Sequence, residues 1–440
     1  MRAFFLLLTL ICIAWEAASA ADKQAESETR WRDWIETDFP FFSAVVDARE
    51  VADAPIDNNL TPRALVFPLG DHCFLAYDVD LLRVAVVWST ADSPFVNAGS
   101  AVISYPYQGN KAPGGTTSLP IPNGPLWYQN GIYAGVGVGQ PRFQDPRREL
   151  PAEEKVVQGG LDPTLARFLG ISLTSGGTIH YEVGGTVEVS ERFALQQDGL
   201  WRHLQIGPHA EPVYVVLAKE NKTISVRCQG DGVVESLQRH LVCRIRSSSK
   251  PQSVSILHSP HDQSLLRSAT SRLSGGKTPA KRWPDEVRLP LPPANLERVL
   301  NLEELPLPLE NPYGRAVRAA SVDFFADGRA ALVTFDGDVW LGNRFRPGAT
   351  EVVWTRFTSG LHEPLSLQIR DEEIFVFDRN GIWRLVDRDE NGEADFHELF
   401  CSRIDQTADT REFAAALEVE QDGSFLVCKP GQTGTFSAVL

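Results

Sequence analysis

The sequence has few cysteines, no excess of basic residues and no C-x-x-C-H motif, and each absence excludes a class of protein. Only 6 of the 440 residues are Cys. Without a C-x-x-C-H motif, the chain has no attachment site for a covalent c-type haem. Lys and Arg number 42 against 57 Asp and Glu, which gives a net charge of −15. Nucleic-acid phosphates would repel such a chain, whereas cations would be attracted to it.

Patterns typical of common enzyme sites are also missing. No Ser-His-Asp, paired-glutamate or glycine-rich phosphate-loop pattern occurs at a usable spacing. His180 and His203 fall in predicted strands that are two or more hairpins apart, and a metal site needs at least three converging ligands. We therefore interpret both as ordinary strand histidines.

Long hydrophobic runs are confined to the first residues. Residues 1–14 carry one early charge and a short apolar run, and residues 18–20 (ASA) supply small side chains before Ala21. This pattern predicts a signal peptide over residues 1–20. The run is too short to cross a bilayer well, and no later segment approaches a membrane span. We therefore expect a mature chain without a transmembrane segment, in an extracytoplasmic location that is periplasmic or secreted.

The rest of the sequence is patterned as short strands separated by turns. Between residues 316 and 400, apolar or β-branched runs alternate with Asp-Gly and Asn-Gly pairs, which favour two-residue hairpins. Hairpin after hairpin predicts a meander, and meanders repeated about an axis form a β-propeller. Residues 169–245 alternate in the same way and predict a β-sandwich or a closed β-module. The predicted class is all-β.

Composition divides the mature chain into three parts. Residues 21–250 form an N-terminal β-rich domain. Residues 251–315 are rich in Pro, Ser and charge and predict a semi-rigid linker. Residues 316–440 form the propeller, but at about 40–50 residues for each blade they supply only about two to three blades. We therefore expect an incomplete propeller, either because the sequence is truncated or because a partner chain completes the ring.

The last Asn-Gly turn carries the sharpest motif. Residues 387–398 (DRDENGEADFHE) satisfy the calcium pattern D-x-[DN]-x-[DN]-G-x5-E in full. Calcium takes about six to eight oxygen ligands, and Gly392 permits the bend that turns alternate side chains inward. The predicted ligands are Asp387, Asp389, Asn391, Glu393, Asp395 and Glu398. Because both flanks look like strands, we expect a calcium loop that caps a hairpin; the alternative is an acidic turn without an ion.

Two further groups have both a functional and a structural interpretation. Trp127, Tyr128 and Tyr133 lie in Gly-rich and Pro-rich loops, where exposed rings would stack on sugars and buried rings would anchor the loops. Asp78 and Asp80 near Arg83 suggest acid–base chemistry or, by default, a solvated ion pair at strand ends.

Five cysteines remain after signal cleavage: Cys73, Cys228, Cys243, Cys401 and Cys428. Cys228 with Cys243, and Cys401 with Cys428, could each join a hairpin. The odd count leaves the pairing open.

Several short motifs resemble one family of large secreted proteins. The motifs are residues 31–34 (WRDW), 46–50 (VDARE), 59–63 (NLTPR), 77–83 (YDVDLLR), 130–133 (NGIY), 318–321 (RAAS), 333–340 (VTFDGDVW), 360–367 (GLHEPLSL) and 377–384 (FDRNGIWR). They resemble the planctomycete-type proteins called membrane-bound dehydrogenases or haem-binding-domain proteins. In that family a domain of unknown function precedes a propeller similar to soluble quinoprotein sugar dehydrogenases, and a c-type cytochrome usually follows. The similarity covers nearly all of the mature chain apart from the linker.

The resemblance implies an oxidoreductase that acts on a sugar or a similar alcohol. In the axial loops of the propeller, His362 would act as a general base, and Arg379 or Arg411 would orient an anionic cofactor such as a quinone. Electrons would pass to a separate cytochrome, since none is present here. The structural alternative makes His362 part of a polar strand entry and Arg411 a surface residue.

Two other functions stay open at this point. One is a noncatalytic carbohydrate-binding or partner-binding β-protein. The other is an inactive fragment whose unpaired strand edges would promote aggregation.

Overall fold

The computed structural model describes residues 39–49, 51, 59–70, 72–91, 93–96, 119–147, 159–220, 224–266, 281–291, 305–343, 349–406, 408, 413–430 and 436–439. Regular structure in these residues is almost entirely β-strand, and they contain no α-helix. The predicted all-β class is therefore confirmed. In the same residues, no helix is both long enough and apolar enough to cross a membrane. The predicted signal peptide lies outside the described residues.

The strands are numbered in chain order. Those that begin before residue 261 are β1 (Phe42–Asp47), β2 (Leu60–Pro68), β3 (Cys73–Asp78), β4 (Arg83–Ser89), β5 (Leu126–Gln129), β6 (Val136–Val138), β7 (Ala166–Ser172), β8 (Thr178–Val183), β9 (Val187–Gln196), β10 (Gly199–Ile206), β11 (Val213–Lys219), β12 (Ile224–Gly230), β13 (Gly232–Leu237), β14 (His240–Ile245) and β15 (Gln252–Pro260). Short 3-10 turns occupy Thr174–Gly176 and Gln263–Leu266.

The later strands are β16 (Val287–Pro290), β17 (Ala319–Phe324), β18 (Ala330–Thr334), β19 (Val339–Asn343), β20 (Glu351–Thr358), β21 (Ser366–Arg370), β22 (Glu373–Asp378), β23 (Gly381–Val386), β24 (Phe396–Cys401), β25 (Ala416–Val419), β26 (Phe425–Lys429) and β27 (Phe436–Val439).

Strands β1 to β5 form an antiparallel sheet in chain order. Every residue of β3 and β4 is buried. Leu75 and Val87 on one face join the largest hydrophobic cluster, while Ala76 and Trp88 on the other face join a second cluster. Because both faces are covered, these strands have continuous apolar sequences instead of the alternation of a half-exposed strand.

A 10-stranded sheet joins the N-terminal and C-terminal regions. Its order is β12-β15-β10-β9-β8-β7-β24-β23-β22-β21, and the junction is the antiparallel pair of β7 and β24. Gly170 permits this junction, because a Cβ at its φ of +152° would lie 2.3 Å from the carbonyl oxygen of His397. A 4-stranded sheet of order β13-β14-β11-β6 shares a core with the larger sheet. Among the described strands, none of the sheets closes on itself, so the closed-module alternative for the N-terminal region is not observed.

Three meanders follow one another after residue 316. Strands β17 to β20 pair in sequence, as do β21 to β24 and then β25 to β27. A propeller blade is a four-stranded meander. The pairing of β24 with β7, however, extends the second meander beyond a single blade. The propeller therefore stays a prediction.

The region expected to be a linker contains two strands. β15 lies in the 10-stranded sheet between β10 and β12, and β16 pairs with β20. Pro260 is the last residue of β15 and Pro290 the last residue of β16. Pro290 ends β16 at the edge of its sheet, where a missing backbone N–H is tolerated. The high proline content therefore led to the prediction of a linker where the structure has two strands, each paired with strands from other parts of the chain.

Candidate functional site

The charged residues predicted at the strand ends form buried ion pairs. Arg83 donates through Nε to Asp78 Oδ2 at 3.0 Å and through Nη2 to Asn59 Oδ1 at 3.1 Å. Arg63 pairs with Asp80, with Nη2 at 2.6 Å from Oδ1. The ion-pair interpretation is confirmed, but the pairs are buried rather than solvated. Because these side chains are buried, they contribute to the scaffold.

Arg63 also connects the N-terminal sheet to the C-terminal strands. Its Nη1 donates to the carbonyl oxygens of Asn380, Ser402 and Ile404 at 3.0, 3.3 and 3.4 Å. Asn380 lies in the turn between β22 and β23, and the other two follow β24. Burial raises the pKa of Asp80, and the positive charge of Arg63 opposes that shift. One guanidinium therefore joins two parts of the chain that are distant in sequence.

The loop aromatics are buried, so the interpretation of them as a sugar-stacking platform is wrong. Trp127, Tyr128 and Tyr133 are 4%, 2% and 4% exposed. The hydroxyl of Tyr128 donates to the carbonyl oxygen of Leu217, and that of Tyr133 donates to Asn130 Oδ1 at 2.5 Å. Trp127 and Tyr128 lie in β5 rather than in a loop, and Tyr133 lies in the loop that follows it. Buried rings agree with the structural alternative.

The structure brings His362 and Arg379 together but encloses both. The backbone N–H of Arg379 donates to the carbonyl oxygen of His362 at 3.0 Å, and its guanidinium pairs with Glu363 at 3.3 Å. The two side chains are buried. Burial, together with the charge of Arg379, holds the pKa of His362 well below its usual range. Such a ring is a weak base near neutral pH. Arg411 lies outside the described residues.

Asp378 stands between these residues, and sequence reasoning did not identify it. Its Oδ2 accepts the backbone N–H of His362 at 2.9 Å, and its Oδ1 accepts that of Asn380 at 2.7 Å. Burial raises the pKa of Asp378 to about 6. The available signal was an Asp two residues before an Asn-Gly turn, since such side chains bond to backbone two residues on. Asp378 thus fixes the turn between β22 and β23.

Three carboxylates of the predicted calcium loop converge. One oxygen each from Asp387, Asp389 and Asp395 lie within 4.8 Å of one another. Asp395 Oδ1 is enclosed and has no hydrogen-bond partner. Burial raises the pKa of Asp387, and the neighbouring negative charge of Asp389 adds to the shift. A hard cation that prefers oxygen ligands would relieve this repulsion.

The other predicted ligands are engaged elsewhere. Glu393 accepts the backbone N–H groups of Arg282 and Trp283, both at 2.6 Å. Glu398 lies in β24 and accepts from Arg384 Nε at 2.7 Å. Asn391 Oδ1 accepts the backbone N–H of Glu393 at 2.8 Å. The flank after the loop is a strand, so Glu398 bonds across to β23 instead of turning into the loop.

An open cavity of about 400 Å³ lies on the outer face of the 10-stranded sheet. Sequence reasoning did not identify it. Trp201 on β10 is not a lining residue, but its indole N–H donates to Asp198 Oδ1 at 2.9 Å, and Asp198 does line the cavity. Leu257 lies opposite Trp201 on β15, and Arg227 lies opposite Leu257 on β12. The lining residues are Asp198, Ser225, Arg227, Leu257, Ser259, Pro260 and His261.

The lining of the cavity combines apolar, polar and charged side chains. Leu257 supplies an apolar floor, Asp198 a hydrogen-bond acceptor and Arg227 a positive charge. The signal for this face was present in β10, where Trp201 and His203 alternate with buried residues. Sequence alone did not show that the end of β15 and the start of β12 complete the same depression.

One family model matches part of the N-terminal half of the chain. A family model described as a domain of unknown function, DUF6797, matches residues 75–191. This is about a quarter of the chain, and it begins in β3 and ends in β9. No curated protein matches the sequence. The match supports a domain of unknown function in the N-terminal half, and the resemblance to dehydrogenases and haem-binding proteins has no counterpart in it.

Proposed function

We propose that the protein is a noncatalytic, calcium-binding β-protein that serves as a binding module in an extracytoplasmic assembly. The observation that carries the proposal is that one oxygen each from Asp387, Asp389 and Asp395 lie within 4.8 Å of one another. Calcium there would neutralise the acidic turn and hold β23 against β24. The burial of His362 and Arg379 supports a noncatalytic role, because a general base must reach its substrate. The apolar leader sequence supports the extracytoplasmic location.

Calcium is expected to raise the melting temperature of the mature chain relative to chelator. At a free concentration about 100 times the Kd, a bound ion adds about 2.7 kcal/mol to the free energy of unfolding. Asp387→Asn is expected to abolish the shift, because it removes one of the three converging charges. Asp422→Asn changes an Asp-Gly turn between β25 and β26 where the described residues form no such cluster, and it should keep the full shift. Equal calcium shifts in both variants would contradict the site.

The cavity beside Trp201 supports a sugar as the ligand of this module. The ring of Trp201, which bonds to the lining residue Asp198 and pairs across the strands with Leu257, suits the apolar face of a sugar, while Asp198 and the serines suit its hydroxyl groups. Arg227 suits an acidic substituent. The expected ligand is therefore a sugar unit that carries a carboxylate.

The resemblance to sugar dehydrogenases supports a second candidate. In it, the chain oxidises a sugar or a similar alcohol with a quinone, and a separate cytochrome or a propeller-completing chain takes part. The grouping of His362 with Asp378, whose pKa lies near 6, favours this candidate, since perturbed titratable groups gather at active sites. The enclosed position of His362 disfavours it.

One experiment separates the two candidates. Calorimetry is expected to detect D-glucuronate binding, lost in Trp201→Ala and weakened roughly tenfold in Arg227→Ala, because a charge-assisted contact is removed. Arg192→Ala, which changes an exposed arginine on the same face, should bind normally. The same samples with an electron-accepting dye should show no sugar-dependent reduction. Dye reduction would contradict the noncatalytic proposal, and an unchanged affinity in Trp201→Ala would contradict the cavity as the site.

A further inference from the structure

Two cysteines from different sheets face each other in the space between the sheets. Cys228 lies in β12 of the 10-stranded sheet, and Cys243 lies in β14 of the 4-stranded sheet. Their sulfur atoms are 3.5 Å apart. A disulfide bond is about 2.05 Å long, so side-chain rotation has only a short distance to close. No backbone hydrogen-bond ladder joins β12 to β14, and a bond here would tie the two sheets together.

The backbone beside the pair leaves room for both sulfur atoms. Gly232 is the first residue of β13, the strand that pairs with β14. A Cβ at Gly232 would lie 2.5 Å from the sulfur of Cys243 and 2.8 Å from that of Cys228. Any other residue would displace one of the thiols. The glycine therefore keeps the two sulfur atoms in contact.

The two thiols differ in exposure and in acidity. Cys228 is partly exposed, whereas Cys243 is buried. A hydrogen bond from Cys243 lowers the pKa of Cys228, and the same bond together with burial raises the pKa of Cys243. A thiolate is the nucleophile in thiol–disulfide exchange, and it must be accessible to react. Cys228 therefore has the properties of the attacking thiol and Cys243 those of the resolving thiol.

We propose that Cys228 and Cys243 are a redox-active pair that closes, by exchange with a small-molecule disulfide, into a bond joining the two sheets. The inference does not depend on calcium or sugar binding. It suits an oxidising compartment, where such bonds form and persist.

The exchange balances in two steps. The Cys228 thiolate attacks one sulfur of a disulfide RSSR, which forms the mixed disulfide Cys228–S–S–R and releases RS⁻. Cys243 then loses its proton and attacks the sulfur of Cys228, which breaks the mixed disulfide and releases a second RS⁻. Both RS⁻ ions take up protons. Two protein thiols are oxidised by two electrons, and one RSSR is reduced to two RSH.

The test is to treat the reduced mature chain with oxidised glutathione, alkylate the remaining thiols and map the peptides by mass spectrometry. Wild-type protein is expected to give a peptide pair linked through Cys228 and Cys243, without bound glutathione. Cys243→Ser should retain glutathione on Cys228, because the resolving thiol is absent. Cys228→Ser should leave Cys243 unmodified, because it is buried. Cys401→Ser, a control in β24 that five strands separate from β12 in the 10-stranded sheet, should form the same link as the wild type.

Either of two results would overturn the proposal. One is a wild-type map in which both cysteines remain alkylated as free thiols after full oxidation. The other is a link from Cys228 to a different cysteine. A stability measurement supports the map independently: oxidation should raise the melting temperature by about 5 °C, with reversal by a dithiol reductant and no rise in Cys243→Ser. An equal rise in Cys243→Ser would assign the effect to another bond.

Discussion

Replacing Arg63 with alanine is expected to lower the free energy of unfolding by about 3–5 kcal/mol. The side chain of Arg63 is fully buried, and it pairs with Asp80 at 2.6 Å. Its removal leaves a buried carboxylate without its partner and three carbonyl oxygens without their shared donor. A buried polar group that loses its partner bears the full desolvation penalty. Urea unfolding at neutral pH measures the loss.

A matched exposed ion pair provides the control. Arg329 pairs with Asp327 at 2.7 Å, but both side chains are largely exposed. Arg329→Ala is expected to change the free energy of unfolding by less than about 1 kcal/mol. Arg63→Lys should fall between the two, because it keeps the charge but lacks the planar fork that reaches Asp80 and the carbonyl groups together. Similar losses for Arg63→Ala and Arg329→Ala would contradict the role of Arg63 as the link between the sheets.

Acidification from pH 8 to pH 5 is expected to lower the free energy of unfolding by about 2 kcal/mol for each buried neutral histidine. Burial lowers the pKa of His397 to about 3, and it holds those of His258 and His362 well below their usual range. In the unfolded chain a histidine has a pKa of about 6.5. Below that pH the unfolded state binds protons that the folded state does not. This contribution is therefore complete above pH 6.5 and is lost as the pH falls toward 3.

One neighbouring carboxyl acts in the opposite direction. The pKa of Asp378 rises from 3.8 to about 6 on folding, so the folded state binds its proton first. By the same linkage relation, acidification from pH 8 to pH 5 raises the free energy of unfolding by about 1.4 kcal/mol through this residue. Burial also raises the pKa values of Asp80 and Asp336, with the same sign. Acid destabilisation near pH 5 is therefore smaller than the histidines alone would give.

A single substitution isolates one histidine from these opposing groups. Chemical unfolding at pH 8 and pH 5 measures how much free energy of unfolding is lost on acidification, in the wild type and in His397→Gln. The loss is expected to be about 2 kcal/mol smaller in the variant, because glutamine does not titrate. His261→Gln, which changes an exposed histidine, serves as the control and should keep the wild-type loss. An unchanged loss in His397→Gln would show that His397 is not held neutral by the fold.

The β class was predictable because turn chemistry is local. The Asp-Gly and Asn-Gly pairs at Gly337 and Gly381 coincide with positive φ angles at the ends of paired strands. The partner of each strand was not predictable, because alternation assigns side chains to faces without naming the neighbouring strand. The pairing of β7 with β24, and the strands in the proline-rich region, depend on residues far away in the chain.

The predicted calcium ligands show the same difference between local and distant information. Asp387, Asp389 and Asp395 converge within one turn, so their spacing in the sequence was enough to predict that they lie together. Glu393 and Glu398 do not join them, because backbone groups near residue 282 and the guanidinium of Arg384 hold them elsewhere.

The burial of individual side chains was also not predictable from the local sequence. Trp127 and Tyr128 were predicted to lie in loops, but both belong to β5 and both rings are buried. Tyr128 packs against His258 of β15, with ring centroids 4.8 Å apart.

Calorimetric titration of the mature chain with calcium tests the central claim most directly. The predicted result is saturable binding of one ion for each chain, with magnesium much weaker because it requires near-octahedral geometry and retains its water. Binding of one calcium ion that is lost in Asp387→Asn would place the ion at the turn between β23 and β24. The absence of saturable calcium binding to folded wild-type chain would contradict the proposed function.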